Sequence, residues 1–153
     1  METYVQRYIR TTPEGLWPLV EDPALIPRWF SYADRAEVLD GDGEGRRQRM
    51  HGLWGRRHFE VDQKVVGYVP GRRIAWEHEA ERLDGKPAPR FARYTRFEIR
   101  LEQQESGTLV TLLLVQLPAG FLRGIVMSRA GRRETLRQLE KSIDGLEQLA
   151  YER

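Results

Sequence analysis

Alternating apolar and polar residues dominate the chain up to residue 117. In the segment 58–65, Phe, Val, Gln and Val at odd positions alternate with His, Glu, Asp and Lys. A period of two predicts a β-strand with one buried face and one face in water. Further strand patterns cover residues 3–10, 36–38, 46–54, 74–79, 94–102 and 108–117, and turns rich in Gly, Asp or Pro separate several of them. The sequence predicts about seven strands, mostly antiparallel.

Two short helices are predicted between the first two strands. The first begins at Thr12-Pro13, where a hydroxyl cap precedes a proline at the first helical position. Pro18 lies early enough in this helix to be tolerated, but it shortens the helix. The second helix begins at Asp22-Pro23 and has Trp29 and Phe30 on its apolar face. These two aromatic residues belong either to the core or to an apolar lid over a cavity entrance.

A long C-terminal helix is predicted from about residue 121 to residue 151. Its apolar residues recur at spacings of three, four and seven and form a single stripe. One helix cannot bury such a stripe alone, so we expect it to lie against a curved sheet. A sheet that curves around a helix usually leaves a cavity. The expected fold class is α+β, with residues 1–153 in a single domain.

Composition and charge narrow the classes of function. The chain contains no cysteine, which fits a reducing cytoplasm and excludes thiolate chemistry. The formal net charge is +2, and acidic residues are interspersed among the 25 basic ones, so no nucleic-acid partner is expected. The longest apolar run, 112–115, is far shorter than the roughly 18 residues of a membrane span. The N-terminus also lacks the apolar core of a signal peptide. These features predict a cytoplasmic protein without stable membrane insertion.

The order of elements and several local motifs resemble those of a known superfamily. The motifs are the segments 16–23 and 27–30, the turn Asp40-Gly41, the segment 69–71 followed by Trp76, and Gly107-Thr108. Together they resemble the helix-grip fold of the START-like (SRPBCC) superfamily, which includes polyketide cyclases/dehydrases, pollen-allergen-like proteins and small lipid carriers. The resemblance implies a cavity between the sheet and the long helix that holds a sterol, a lipid, a polyketide or another apolar molecule. Because the motifs are packing and turn signals, they do not indicate which ligand.

The alternation also predicts which side chains face the long helix. These side chains are mostly apolar with a few polar groups, which is typical of a small-molecule pocket. The same residues can instead fill an ordinary core. The set comprises Gln48, Met50, Trp54, Phe59, Val61, Gln63, Trp76, Thr95, Phe97 and Ile99 from the strands, and Leu122, Ile125, Val126 and Arg129 from the helix.

Four polar residues of the inward face are candidates for chemistry. Gln48, Gln63 and Thr95 can hydrogen-bond a ligand carbonyl or hydroxyl, or can satisfy one another. His78 is the one histidine on the inward face, and it can act as a general base near neutral pH. Alternatively, His78 lies near a strand end and bonds to a neighbour or to solvent.

The remaining titratable residues give weaker indications. His51 and His58 fall on the outward face, so a zinc site built from the three histidines is not expected. Glu77 and Glu79 flank His78 but point to the opposite face of their strand. No sequence motif of a metal site or a nucleotide cofactor is present, so neither group is expected.

An arginine cluster interrupts the stripe of the predicted long helix. Arg129, Arg132 and Arg133 crowd one turn of it. They can contact an anionic ligand headgroup at the cavity mouth. Alternatively, they form a solvated helix face that pairs with Glu134 and its neighbours.

These features leave three functional hypotheses. The first is a non-catalytic carrier or sensor that binds an apolar small molecule as a monomer or homodimer. The second is a polyketide aromatase/cyclase-type enzyme, in which His78, Arg129 and Gln63 supply proton transfer and orientation. The third is a protein-interaction module with an exposed apolar patch.

Overall fold

The computed structural model describes residues 1–88, 92–118, 120 and 131–152, without the side chains of Trp54, Ala92, Arg93 and Pro118. Within these residues it forms eight strands, two α-helices and one 3-10 helix. In chain order they are β1 (Glu2–Ile9), α1 (Pro13–Glu21), the 3-10 helix (Ile26–Arg28), β2 (Arg35–Asp40), β3 (Arg47–Trp54), β4 (Arg57–Val69), β5 (Arg73–Leu83), β6 (Lys86–Pro87), β7 (Ala92–Gln104), β8 (Gly107–Pro118) and α2 (Arg132–Tyr151).

The strands form one antiparallel sheet in the order β1-β8-β7-β5-β4-β3-β2. The short strand β6 pairs with the end of β5 and lies in the segment predicted as a polar loop. The α+β class and the mostly antiparallel sheet of about seven strands are therefore confirmed. No described helix is both long and apolar enough to cross a membrane.

The helical segment after β1 follows its prediction only in its first half. Thr12 caps α1 as expected, since its hydroxyl accepts a hydrogen bond from the Gly15 amide at 3.2 Å. The second segment forms only the 3-10 helix Ile26–Arg28 rather than an α-helix. Pro23 and Pro27 explain the difference, because a proline disfavours the α conformation of the residue before it and lacks an amide donor.

The C-terminal helix packs across the concave side of the sheet. Leu139, Ile143 and Leu146 are fully buried along one face, as the apolar stripe predicts. Gly145 allows a close approach to the segment after α1, because a Cβ at this position would lie 3.1 Å from the carbonyl oxygen of Trp29. The part of the predicted helix between residues 121 and 130 lies outside the described residues.

A β-bulge in β5 changes which side chains face the helix. Gln63 of β4 pairs with His78, but the preceding Asp62 pairs with Ala80, so Glu79 is an extra residue in β5. A bulge of this kind shifts the alternation of the bulged strand by one position. Beyond the bulge, Glu81 therefore joins the inward face, on which simple alternation would have placed Ala80.

Candidate ligand-binding cavity

Two adjoining cavities lie between the curved sheet and the start of α2. The inner cavity has a volume of about 180 Å³ and the outer cavity about 430 Å³. Tyr32, Phe59, Val61, Thr95 and Gln116 line both of them, so the two spaces are neighbours across a shared wall. The larger volume falls within the usual range for a small-molecule pocket.

Most of the strand residues predicted for the cavity converge on this space. The inner cavity is lined by Met50, Phe59, Val61, Gln63, Trp76, His78, Thr95 and Phe97 from the predicted set. The sheet register explains this, since Gln63 faces His78 and Trp76 faces Phe97 across neighbouring strands. That these residues bind a ligand stays a prediction.

Other members of the predicted set lie elsewhere. Gln48 and Ile99 are not among the described lining residues of either cavity, although both are fully buried. Gln48 is held by hydrogen bonds to its neighbours, and Ile99 belongs to the apolar core. The side chain of Trp54, and the residues Leu122, Ile125, Val126 and Arg129, lie outside the part of the chain that the structure describes.

A buried arginine orients the amide of Gln63. The Nε atom of Arg46 donates to the Oε1 atom of Gln48 at 3.1 Å, and the Nε2 atom of Gln48 donates to the Oε1 atom of Gln63 at 3.0 Å. The Arg46 side chain, only 3% exposed, is anchored in turn by Glu21. Because the oxygen of Gln63 is engaged, its Nε2 group is the donor that remains for a ligand.

The bulge in β5 brings a carboxylate to His78. The Nδ1 atom of His78 lies 3.2 Å from the Oε1 atom of Glu81, and both side chains are largely buried. His78 lines the inner cavity and Glu81 lines the outer one, so the pair lies where the cavities meet. A carboxylate beside one ring nitrogen fixes the imidazole tautomer and leaves the Nε2 atom able to accept a proton.

Aromatic rings form the floor of the inner cavity. The rings of Phe30 and Phe97 have centroids 4.9 Å apart, and those of Trp76 and Phe97 are 5.1 Å apart. Phe30 thus belongs both to the core and to the cavity wall, whereas Trp29 is buried with its indole N–H donating to the carbonyl oxygen of Leu19 at 2.7 Å. The indole N–H of Trp76 is buried and has no hydrogen-bond partner among the described residues.

Tyr32 stands at the boundary between the two cavities. Burial raises the pKa of its hydroxyl to about 12, and a hydrogen bond with Thr135 of α2 partly opposes that shift. The hydroxyl is therefore neutral at physiological pH and can donate or accept a hydrogen bond. This contact also links the cavity wall to the first turn of α2.

Sequence reasoning missed several polar residues of the cavity walls, among them Tyr32, Thr135, Gln116 and Glu81. Tyr32 follows the helical pair in an irregular segment, where no periodicity applies, and Thr135 lies beside the arginine cluster. Gln116 could have been predicted, because it is a polar residue on the same face of β8 as Leu112 and Leu114. Glu81 could not have been, since the bulge that turns it inward has no mark in the alternation.

The described pairing between β5 and β7 ends at Glu77, close to the polar residues of the cavity walls. Among the described residues, the ladder between β5 and β7 covers Arg73–Glu77 on β5 and Arg96–Arg100 on β7. Beyond it the hydroxyl of Tyr94 donates to the Oε1 atom of Glu77 at 2.7 Å. The end of β5, at Arg82 and Leu83, pairs with β6, and the outer cavity lies beside it.

Comparison with known proteins places this architecture in a family. The chain matches the family described as polyketide cyclase / dehydrase and lipid transport over residues 1–150. The protein therefore belongs to that family, which the resemblance to the START-like superfamily predicted. No curated protein matches the chain.

Solved structures of the same fold come from several organisms. A protein from Thermus thermophilus is 16% identical with a TM-score of 0.77, covering 99% of this chain and 97% of that one. The major latex-like protein 151 of Panax ginseng is 10% identical with a TM-score of 0.75, covering 98% and 97%. A protein from Mesorhizobium loti is 19% identical with a TM-score of 0.72, covering 97% and 96%. At these identities the likeness establishes the fold alone.

Proposed function

We propose that the protein binds an apolar small molecule in the inner and outer cavities. The observation that carries this proposal is the pair of adjoining cavities, whose shared wall presents the apolar side chains of Phe59 and Val61 and the ring of Tyr32 beside the polar Thr95 and Gln116. Binding of an apolar ligand there removes the ligand surface and the cavity surface from water, which stabilises the complex by roughly 25 cal/mol per Å² of apolar area buried.

The ligand we propose carries an oxygen at the end that enters the inner cavity. Two donors support this: the Nε2 group of Gln63, and the indole N–H of Trp76, which has no partner within the described part of the chain. A carbonyl or hydroxyl oxygen would satisfy a donor whose desolvation otherwise costs about 1–3 kcal/mol. A polyketide, a sterol and an oxygenated aromatic compound all meet this requirement.

Native mass spectrometry tests the proposal directly. We expect a discrete bound mass on the purified protein, or saturable binding from a panel of lipids, sterols and polyketides. Val61→Trp places a larger side chain in the wall between the two cavities, reduces the space for a ligand and should lower ligand affinity at least tenfold. Val38→Trp makes the same change at an exposed position of β2 outside the cavity lining, so it should bind normally. Absence of any ligand, or equal affinity in both variants, would refute the proposal.

A second candidate function is catalysis of a cyclisation or dehydration. The observation that favours it is the contact between His78 and Glu81 at 3.2 Å. Proton abstraction by the imidazole from a carbon beside a ligand carbonyl would generate an enolate, and a donor such as Gln63 would stabilise the oxyanion.

Turnover assays separate this candidate from simple binding. We expect His78→Ala to lower kcat by roughly 10²–10⁴-fold if the imidazole is the general base, with ligand affinity little changed. Glu81→Gln keeps the shape of its side chain and should lower kcat by a smaller factor. Unchanged turnover in His78→Ala would exclude the base role while leaving the binding proposal intact.

A further inference from the structure

A second polar cluster lies on the faces of β3 and β4 that carry His51, His58 and Glu60, and it adjoins the outer cavity, which Glu60 also lines. His51 of β3 and His58 of β4 approach across the β3–β4 hairpin, with the Nδ1 atom of His51 3.3 Å from the Nε2 atom of His58. The Oε1 atom of Glu60 lies 3.9 Å from the same His51 nitrogen and 3.7 Å from the same His58 nitrogen. Two imidazole nitrogens and one carboxylate oxygen therefore converge on one point.

The geometry points to a divalent transition-metal site of the zinc class formed by His51, His58 and Glu60. A triangle with the three measured sides has a circumscribed radius of about 2.1 Å, which is the length of Zn–N and Zn–O bonds. A cation at or slightly above its centre contacts all three ligand atoms and keeps a position open for water. Two nitrogen ligands favour Zn²⁺ over the hard cations Mg²⁺ and Ca²⁺, which prefer oxygen.

A second carboxylate supports the assignment independently. The Oε1 atom of Glu37 lies 3.1 Å from the Nε2 atom of His51, on the far side of the ring from the proposed cation. A metal-ligating histidine typically donates its other N–H to such a carboxylate, which fixes the tautomer and strengthens the ligand. His51 is buried, so its ring is held in this orientation.

The surrounding charges balance the cluster and leave the ligand oxygen accessible. Arg82 donates to the Oε2 atom of Glu60 at 2.9 Å, and Arg49 lies 4.0 Å from that same oxygen. The Oε1 atom therefore stays directed at the histidines. Arg35 lies 3.1 Å from the Nε2 atom of His51 and 3.9 Å from Glu37, so in the metal-ligating tautomer its guanidinium pairs with Glu37 and not with the ring. Asp62 pairs with both Arg49 and Arg82. Three arginines thus face three carboxylates, including that of Glu37, around the two rings.

The alternation of residues along the strands does not predict this site. Alternation places His51 and His58 on the outward face, but only the pairing of β3 with β4 shows that the two side chains are neighbours. The third histidine, His78, faces the cavities and takes no part in the cluster. Substitution of His78 can therefore serve as the control for substitution of a proposed zinc ligand.

Isothermal titration of the tag-free protein with Zn²⁺ at pH 7.5 tests the site. We expect one saturable site per chain, no saturable binding of Mg²⁺, and an X-ray absorption spectrum with two imidazole nitrogens on the zinc. Zinc affinity should fall at least tenfold in His58→Ala, whose side chain is half-exposed and can be removed without unfolding. Glu37→Gln should weaken binding by roughly 10–100-fold.

His78→Ala is the matched control and should bind zinc as the unaltered protein does. Circular dichroism and thermal unfolding without zinc establish that each variant is folded. Absence of saturable zinc binding would overturn the proposal, as would equal affinity in His58→Ala and the unaltered protein. A loss of affinity in His78→Ala that matched the loss in His58→Ala would also overturn it.

Discussion

Arg46 and Arg47 are neighbours in sequence, yet we expect their replacement to affect stability very differently. Arg46 precedes β3, and its guanidinium donates to the carbonyl oxygen of Glu21 at 2.9 Å, the Oε1 atom of Glu21 at 3.2 Å and the Oε1 atom of Gln48 at 3.1 Å. Arg47 points to the opposite face, where it pairs with Glu79 at 3.1 Å and is 52% exposed. The same substitution at both positions therefore compares a buried ion pair with an exposed one.

We expect Arg46→Met to lower the free energy of unfolding by about 3 kcal/mol. Methionine keeps most of the volume but leaves the Gln48 oxygen and the Glu21 carbonyl without a donor, and removing one partner of a buried pair costs about 3–5 kcal/mol. The lower end applies because the Glu21 side chain is 22% exposed and can recover some hydration. Arg47→Met should lose less than about 1 kcal/mol, as exposed pairs do.

Urea and thermal denaturation of the two variants provide the measurement. For a chain of this length, about 3 kcal/mol corresponds to a fall in Tm of about 6–12 °C, while Arg47→Met should change Tm by only a few degrees. Equal losses in the two variants would refute the buried-network reasoning. Ligand affinity in Arg46→Met is a further readout, since Gln48 would no longer be held in the orientation that engages Gln63.

Three further outcomes are expected from local geometry. Gly52→Ala should destabilise the protein by about 1–3 kcal/mol through overpacking. The new Cβ would lie 2.6 Å from the ring of Phe59 and 2.8 Å from the carbonyl oxygen of Tyr32. If urea denaturation showed the variant to be more stable, the cavity wall would have moved to accommodate the methyl group, against this prediction. The hydrogen bond from Arg49 holds the pKa of Asp62 at about 2, below its ordinary 3.8, so this carboxylate stabilises the fold above pH 3.8 and its contribution is lost as pH falls towards 2. Asp62→Asn should therefore remove about 1–2 kcal/mol at pH 7 and reduce the pH dependence of stability between about pH 4 and 2, and an unchanged acid profile would contradict the assignment. Tyr32, with a pKa of about 12, should ionise at higher pH than the exposed tyrosines in an ultraviolet titration. Tyr32→Phe should remove the absorbance change at high pH that this residue contributes. If that change persists in the variant, it belongs to another residue and the assignment is wrong.

The elements that the sequence predicted well are those governed by local rules. Alternation located the long strands, because each has one face on the core, and Thr12 indicated the start of α1 by its capping chemistry. The side of β4 that carries Phe59, Val61 and Gln63 followed from the same alternation. These features depend on nearest neighbours along the chain, so a single sequence contains them.

The features that the sequence did not predict depend on register between strands. The bulge at Glu79 is visible only when β4 and β5 are paired, and it alone brings Glu81 to His78. The convergence of His51 and His58 likewise requires the β3–β4 register. The 3-10 helix at Ile26–Arg28 is a separate case, because Pro23 and Pro27 override the apolar face that predicted an α-helix.

The extra residue in β5 has a consequence for how such a cavity changes during evolution. Because Glu79 has no counterpart on β4, deleting its single codon would leave His78 opposite Gln63 and Glu81 opposite Val61, both still facing inward. What would change is the backbone, since a bulge bends and twists its strand and a regular ladder does not. A deletion of one residue here can thus reshape the outer cavity without replacing any side chain of its wall, so the shape and the chemistry of this pocket can be selected separately.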